Sequence, residues 1–312
     1  MADATFAIVC DSACDLTVAQ LGRLGVVLVP HTLTVGEKSW RDVSERDSDE
    51  VYELLAEKGA RAIVRTPVSV DDLLAAYREL GRQGFDHVVS VHSAAVGSSV
   101  PDIAREAAEL VADEIMVEVL ETGSASLGTG IVIERLAAFR AAGMPCSQAL
   151  SVAHDVARSI RLFFSPAPNS NFVRHGARSR HSALVARASA LRVRLVGERG
   201  LFLVSCGEMT QCVRTSDVDV VCRRIAAAIT AVRKAEGDVS YVELYSGSRQ
   251  LLRPLDAALA EAGLESGRLG SWRVSPGVAS CVGLGAIGVA FLPNALLTRG
   301  GVGEPVTPEQ VD

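Results

Sequence analysis

Short, near-continuously apolar runs alternate with helical patterns through the first half of this chain, and that alternation constrains the fold more than any other feature. Residues 5–10 (TFAIVC), 26–30 (VVLVP), 87–92 (HVVSVH) and 115–120 (IMVEVL) read as strands. Residues 15–24, 48–58, 73–83, 101–114 and 128–142 read as helices, the third capped by residues 69–72 (SVDD). Strands lacking polar alternation are buried on both faces, which predicts a parallel sheet covered by helices on both sides. In such sheets ligands sit outside the carboxyl ends of the strands. The loops at those ends, residues 11–15, 65–69, 93–99 and 121–126, are rich in hydroxyls and glycine and poor in bases or paired carboxylates.

The character changes after residue 160. Residues 163–171 (FFSPAPNSN) are rich in Pro, Asn and Ser, and arginines concentrate over 169–194, which places a domain boundary near residue 165. Beyond it, residues 201–206, 239–244 and 271–274 read as strands and 218–234 and 252–262 as helices. The expected organisation is an α/β domain over 1–165, a smaller α+β domain over 166–297 and a disordered Gly/Pro/polar tail over 298–312.

Composition closes off several function classes. The chain is 48% hydrophobic and 22% charged, enough apolar surface for a globular core. Its 31 basic and 37 acidic residues give a net charge of −6 without long runs of either sign, so nucleic-acid binding is not expected. No apolar stretch reaches the roughly 18 residues that a bilayer span needs. Acids rather than bases precede the first short apolar run, so a cytoplasmic protein is expected. The seven cysteines are scattered, with no CxxC and no suitably spaced His; they read as reduced thiols, and neither a metal nor a cofactor is expected.

Two motifs fail on context. The GxGxxG of residues 283–288 leaves no room for a βαβ unit and reads as a Gly-rich turn entering a strand at 289–292. Residues 123–128 (GSASLG) do not fit GxSxG at either serine. The six histidines each stand alone, and although His92 adjoins Ser93, neighbours on a strand face opposite ways. What remains is hydroxyls and backbone N–H groups at helix N-termini, which suit a carboxylate or phosphate oxygen. Individually, serines such as Ser69 and Ser98 can equally be helix caps.

The order of these loops resembles the DegV family, which includes the fatty-acid-binding subunits of bacterial fatty acid kinase. Asp11-Ser12-Ala13-Cys14-Asp15-Leu16 is similar to the family's TDSTADLP opening, and residues 27–30 followed by Trp40-Arg41-Asp42 are similar to its VVPL and Y-x-D segments. Arg65-Thr66-Pro67-Val68-Ser69 stands at TSQPS, residues 93–98 at S-x-L-S-G-T, and residues 126–130 at S-x-G-x-G. Ala177-Arg178 falls at the GGRI turn, Arg192 at IKP, and Val213-Arg214-Thr215 at VRT. Arg273-Val274-Ser275-Pro276-Gly277 stands at H-x-G-P-G, with arginine for the histidine and serine for the first glycine.

The resemblance implies a two-domain fold enclosing one long-chain fatty acid, with no catalysis by this chain. It implies that Thr66 and Ser93 bond the carboxylate, that Gly97 and Ser98 of the Ser93 loop and Ser126 of the 121–126 loop also take part in fatty acid binding, and that Arg178 and Arg273 lie near the carboxylate. A separate ATP-dependent kinase would then convert the carboxylate to an acyl phosphate, and membrane-surface contact would be transient. Two alternatives stay open: a serine-dependent hydrolase or transferase, and a paralogue that has lost lipid binding and serves a regulatory role.

Overall fold

The computed structural model describes residues 6–168, 170, 172 and 197–297. Arg178, Arg192 and the 298–312 tail lie outside the described residues.

The first half contains strands β1 (Ala7–Asp11), β2 (Val26–Val29), β3 (Thr32–Val35), β4 (Lys38–Arg41), β5 (Val64–Thr66), β6 (His87–His92) and β7 (Met116–Glu121). Its helices are α1 (Val18–Arg23), α2 (Ser48–Lys58), α3 (Val70–Arg82), α4 (Val100–Leu110), α5 (Leu127–Ala141) and α6 (Cys146–Ser159). Strands β2-β1-β6-β7 form a four-stranded, all-parallel sheet. Along β1, Ala7 and Val9 pack toward the α3/α4 face, whereas Ile8 and Cys10 face the core shared with α5. Both faces of the strand are therefore dry, which is why its sequence shows no polar alternation. Each fully buried Val, Ile or Leu contributes on the order of 1.5–3 kcal/mol. Ser69 starts α3 through a reciprocal capping box with Asp72.

Sequence patterning did not reveal the small antiparallel sheet β4-β3-β5. It is pinned to α3 by the ion pair of Arg41 Nη2 with Asp72 Oδ1 at 2.6 Å. Its inner face is set by Leu33, fully buried and directly opposite Arg65 in the ladder.

The second half contains β8 (Arg161–Ser165), β9 (Arg199–Ser205), β10 (Glu208–Thr215), β11 (Val239–Tyr245), β12 (Arg268–Arg273) and β13 (Ile287–Pro293). Its described helices are α7 (Val218–Glu236), α8 (Arg253–Glu261), α9 (Pro276–Val282) and α10 (Asn294–Leu297). The strands form one six-stranded mixed sheet, β10-β9-β8-β13-β11-β12. The Pro/Asn/Ser-rich stretch thus begins inside β8, where Phe163 and Phe164 are paired on both sides by β9 and β13. Helices α7 and α8 cover one face through Ile225, Ile229, Leu255 and Leu259. The other face, carrying Leu162, Val204, Leu244 and Leu292, joins the core that includes α5 and α6. Helix α5 is consequently buried on nearly all sides, as expected of a helix sandwiched between two sheets.

The two sheets approach closely at Gly123, whose φ of +63° favours glycine and whose added Cβ would lie 2.8 Å from the Gly207 nitrogen. The Gly207 N–H donates to the Gly123 carbonyl at 2.9 Å, tying the loop after β7 to the β9–β10 turn. Among the described residues, no helix is long and apolar enough to cross a membrane.

Candidate functional site

A cavity of ≈ 440 Å³ opens between the strand-end loops of the parallel sheet and the inner face of the six-stranded sheet. That lies within the roughly 300–1,000 Å³ usual for small-molecule sites. The second sheet supplies an apolar wall, including Leu162, Phe164, Val204, Met209, Leu244 and Ile287. Side chains two apart on β8 share a face, which is why Leu162 and Phe164 both point inward. The loops of the parallel sheet supply Ala13, Ser93, Val96, Gly97, Ser98 and Ser126. The site is therefore greasy at one side and hydroxyl-lined at the other.

The hydroxyl side lies where β1 and β6 end, the point at which the chain order of the parallel sheet reverses. A buried polar chain stiffens it. Tyr77 OH donates to Ser90 Oγ at 2.8 Å, Ser90 Oγ lies 2.8 Å from His92 Nε2, and His92 Nδ1 lies 2.7 Å from Asp11 Oδ2. Burial alone would raise the Asp11 carboxyl, but the hydrogen bond from His92 and the nearby His31 hold it at about 2. Burial pushes His31 down to about 4, against the pull of Asp11. Ser12 Oγ donates to Asp42 Oδ2 at 3.0 Å, and burial pushes the Asp42 carboxyl up to about 6.

Asp15 joins the two halves. Its Oδ1 accepts the Ser275 N–H at 2.7 Å and its Oδ2 accepts the Ser126 hydroxyl. Desolvation pushes this carboxyl up to about 7 despite those two donors. Both Asp15 and Ser126 hold positive φ, 59° and 54°, so the loops meeting here are tightly over-determined. Gly277 is required beside them, because a Cβ there would lie 2.3 Å from Asp42 Oδ2.

The site residues expected from sequence divide into three groups. Ser93, Gly97, Ser98 and Ser126 line the cavity together, with Ser93 Oγ 3.2 Å from Thr129 Oγ1 and Ser98 Oγ also accepting the Val100 N–H at 3.1 Å. Thr66 and Arg273 are not among its wall residues. Thr66 is exposed on β5, and Arg273 pairs with Asp49 while its guanidinium carbon lies 4.6 Å from the centre of the Tyr52 ring. Arg178 lies outside the described residues. For the hydrolase alternative, His92, the histidine next to Ser93 in the chain, has both ring nitrogens engaged, with Asp11 and Ser90.

Sequence reasoning missed Arg65, Asp15 and Asp42. Arg65 stands in the cavity wall. The available signal was its neighbour: on a strand, a reading shifted by one residue exchanges the inner for the outer face.

A family model for the uncharacterised proteins of the DegV family matches residues 5–294. A DegV domain-containing protein of Staphylococcus aureus is 23% identical over 185 residues, a stretch spanning 59% of this chain and 64% of that relative, just under two thirds of its length. One from Streptomyces coelicolor is 26% identical over 195 residues, covering 62% of this chain and 68% of the relative. Among solved structures, a DegV family protein from Thermus thermophilus described for its fatty acid binding superposes with a TM-score of 0.75 at 24% identity, covering 93% of this chain and 99% of that one. A stearic acid-binding protein from Eubacterium ventriosum gives 0.77 at 18% identity, covering 92% and 98%. At these identities the structural likeness is one of fold.

Proposed function

The chain belongs to the DegV family, and from that premise we propose that it is a cytoplasmic carrier of one long-chain fatty acid, which a separate ATP-dependent kinase converts to an acyl phosphate. The chain reads as two units meeting near residue 165, with the acyl chain enclosed between them. The observation carrying this reading is the cavity itself, a wall of aliphatic and aromatic side chains closed at one side by the hydroxyls of Ser93, Ser98 and Ser126. Burying about 15 methylenes at ~0.8 kcal/mol each offers on the order of 12 kcal/mol before ordering costs, enough for tight binding with few polar contacts. The tail then supplies affinity and the hydroxyls orient the head group. In this division of labour the carrier contributes no bond-making step, and the kinase receives a carboxylate held beside residues 96–98 of the cavity wall. That part of the wall is open to a partner, since Val96 is 49% exposed.

Uptake of a fluorescent fatty acid by delipidated protein tests the reading. Wild type is expected to saturate near one per chain, and Met209→Trp, which puts a large ring into the cavity from a partly exposed strand, is expected to bind poorly with little change in Tm. Absence of saturable uptake by wild type would reject the carrier reading.

A further inference from the structure

Among the described residues that line the cavity, Arg65 is the one with a charged side chain. Its side chain forms no hydrogen bond and no ion pair with any described residue, unlike Arg41, Arg78, Arg105 and Arg273, each of which holds a carboxylate. Its position follows from the sheet: Arg65 lies directly opposite Leu33, so it shares the inward face of β3 and β5, while Thr66 takes the outward one. Its stem runs beside Gly277, with Cδ 3.5 Å from where a Cβ of that residue would lie. The acids near it take hydrogen bonds from other donors: Asp42 Oδ2 from Ser12, Asp11 from His92 and Ala13, and Asp15 from Ser126 and Ser275; Asp42 is the acid that feels the Arg65 charge, which pulls its carboxyl down against burial.

A half-buried guanidinium with no hydrogen bond or ion pair among the described residues, at the wall of an apolar cavity, is a site for an anion. Resting on the carrier reading, we infer that Arg65 selects the ligand by the charge of its head: the cavity takes a single-chain amphiphile with an anionic head, a carboxylate or a phosphate monoester, over its neutral counterpart. The planar fork of donors matches either oxyanion bidentately, whereas hydroxyls alone would serve an alcohol or an ester nearly as well. The acyl chain brings the ligand to the cavity, and Arg65 decides which head groups stay.

The experiment is titration of delipidated wild type, Arg65→Thr and Arg65→Lys with palmitate, hexadecyl phosphate and hexadecan-1-ol, read by calorimetry. Because the Arg65 side chain forms no hydrogen bond or ion pair with a described residue, all three proteins are expected to fold, with Tm values within a few degrees of one another. Wild type should bind palmitate, hexadecyl phosphate or both roughly ten- to a hundredfold more tightly than the alcohol, and the two anions show which oxyanion the site prefers. Arg65→Thr should lose that preference while keeping its affinity for the alcohol, and Arg65→Lys should keep part of it. If wild type binds palmitate, hexadecyl phosphate and the alcohol equally, or if Arg65→Thr keeps the full preference, Arg65 is not the selector and the lipid carrier stands without it. If wild type binds none of the three, the carrier reading fails and Arg65 falls with it.

Discussion

Replacing Asp15 by Asn removes a titration without removing a shape. Asn is nearly the same size, tolerates the positive φ of this position, can accept the Ser275 N–H through its carbonyl oxygen and can donate to Ser126 Oγ through its amide. What it lacks is the charge. Burial raises the Asp15 carboxyl from 3.8 to about 7, so the folded protein holds this proton more firmly than the unfolded chain does. Stability from this group is therefore complete below about pH 4, is lost as pH rises from 4 to 7, and stays lost above that. The gap between the two values corresponds to roughly 4 kcal/mol at most. Urea unfolding of wild type and Asp15→Asn at pH 5, 6, 7 and 8 measures it. Other buried acids slope in both proteins, so the difference between them reports Asp15 together with its repulsion by neighbouring Asp42. That difference should favour Asp15→Asn increasingly from pH 5 to 8, by a few kcal/mol in total. A difference that does not change with pH, or a variant that loses ground as pH rises, would refute the argument, because it would mean that the carboxylate is charged and well stabilised by its two donors.

Three further outcomes follow from the same geometry. Gly277→Ala should lower stability by about 1–3 kcal/mol, since its new methyl meets Asp42 Oδ2 and the surrounding loops have no slack; a Tm equal to wild type would contradict this. Ser93→Ala should weaken fatty acid binding by roughly tenfold, and Arg273→Ala should weaken it less, because that arginine is already paired with Asp49; fluorescence titration of the two side by side checks the order. Incubated alone with ATP and palmitate, the chain should release no ADP above background, and turnover that survives repurification would show that the carrier also performs the transfer.

How far the sequence reaches depends on the range of the interaction. The parallel sheet and its helices are legible because burial on two faces writes apolar runs into β1 and β6, and burial on one face writes a helical period into α3 and α4. The loops containing Ser93, Gly97, Ser98 and Ser126 follow from that pattern, since ligand sites of parallel sheets lie at strand ends. The antiparallel sheet carrying Arg65 is short and its outer residues are exposed, so it leaves no apolar run. One residue of strand phase then separates Thr66 on the outside from Arg65 in the wall. Asp15 is hidden for another reason: its partners are Ser126, 111 positions away, and Ser275, 260 positions away. Nothing near Asp15 in the chain distinguishes an acid that will be buried between two sheets from one that caps a turn.

The most direct test of the account is what the protein carries when it is made. Chain purified from a bacterial host, denatured and extracted, should yield close to one long-chain fatty acid per polypeptide by mass spectrometry. A yield near zero, together with no uptake of added palmitate or oleate by the folded protein, would contradict the assignment of the cavity to an acyl chain.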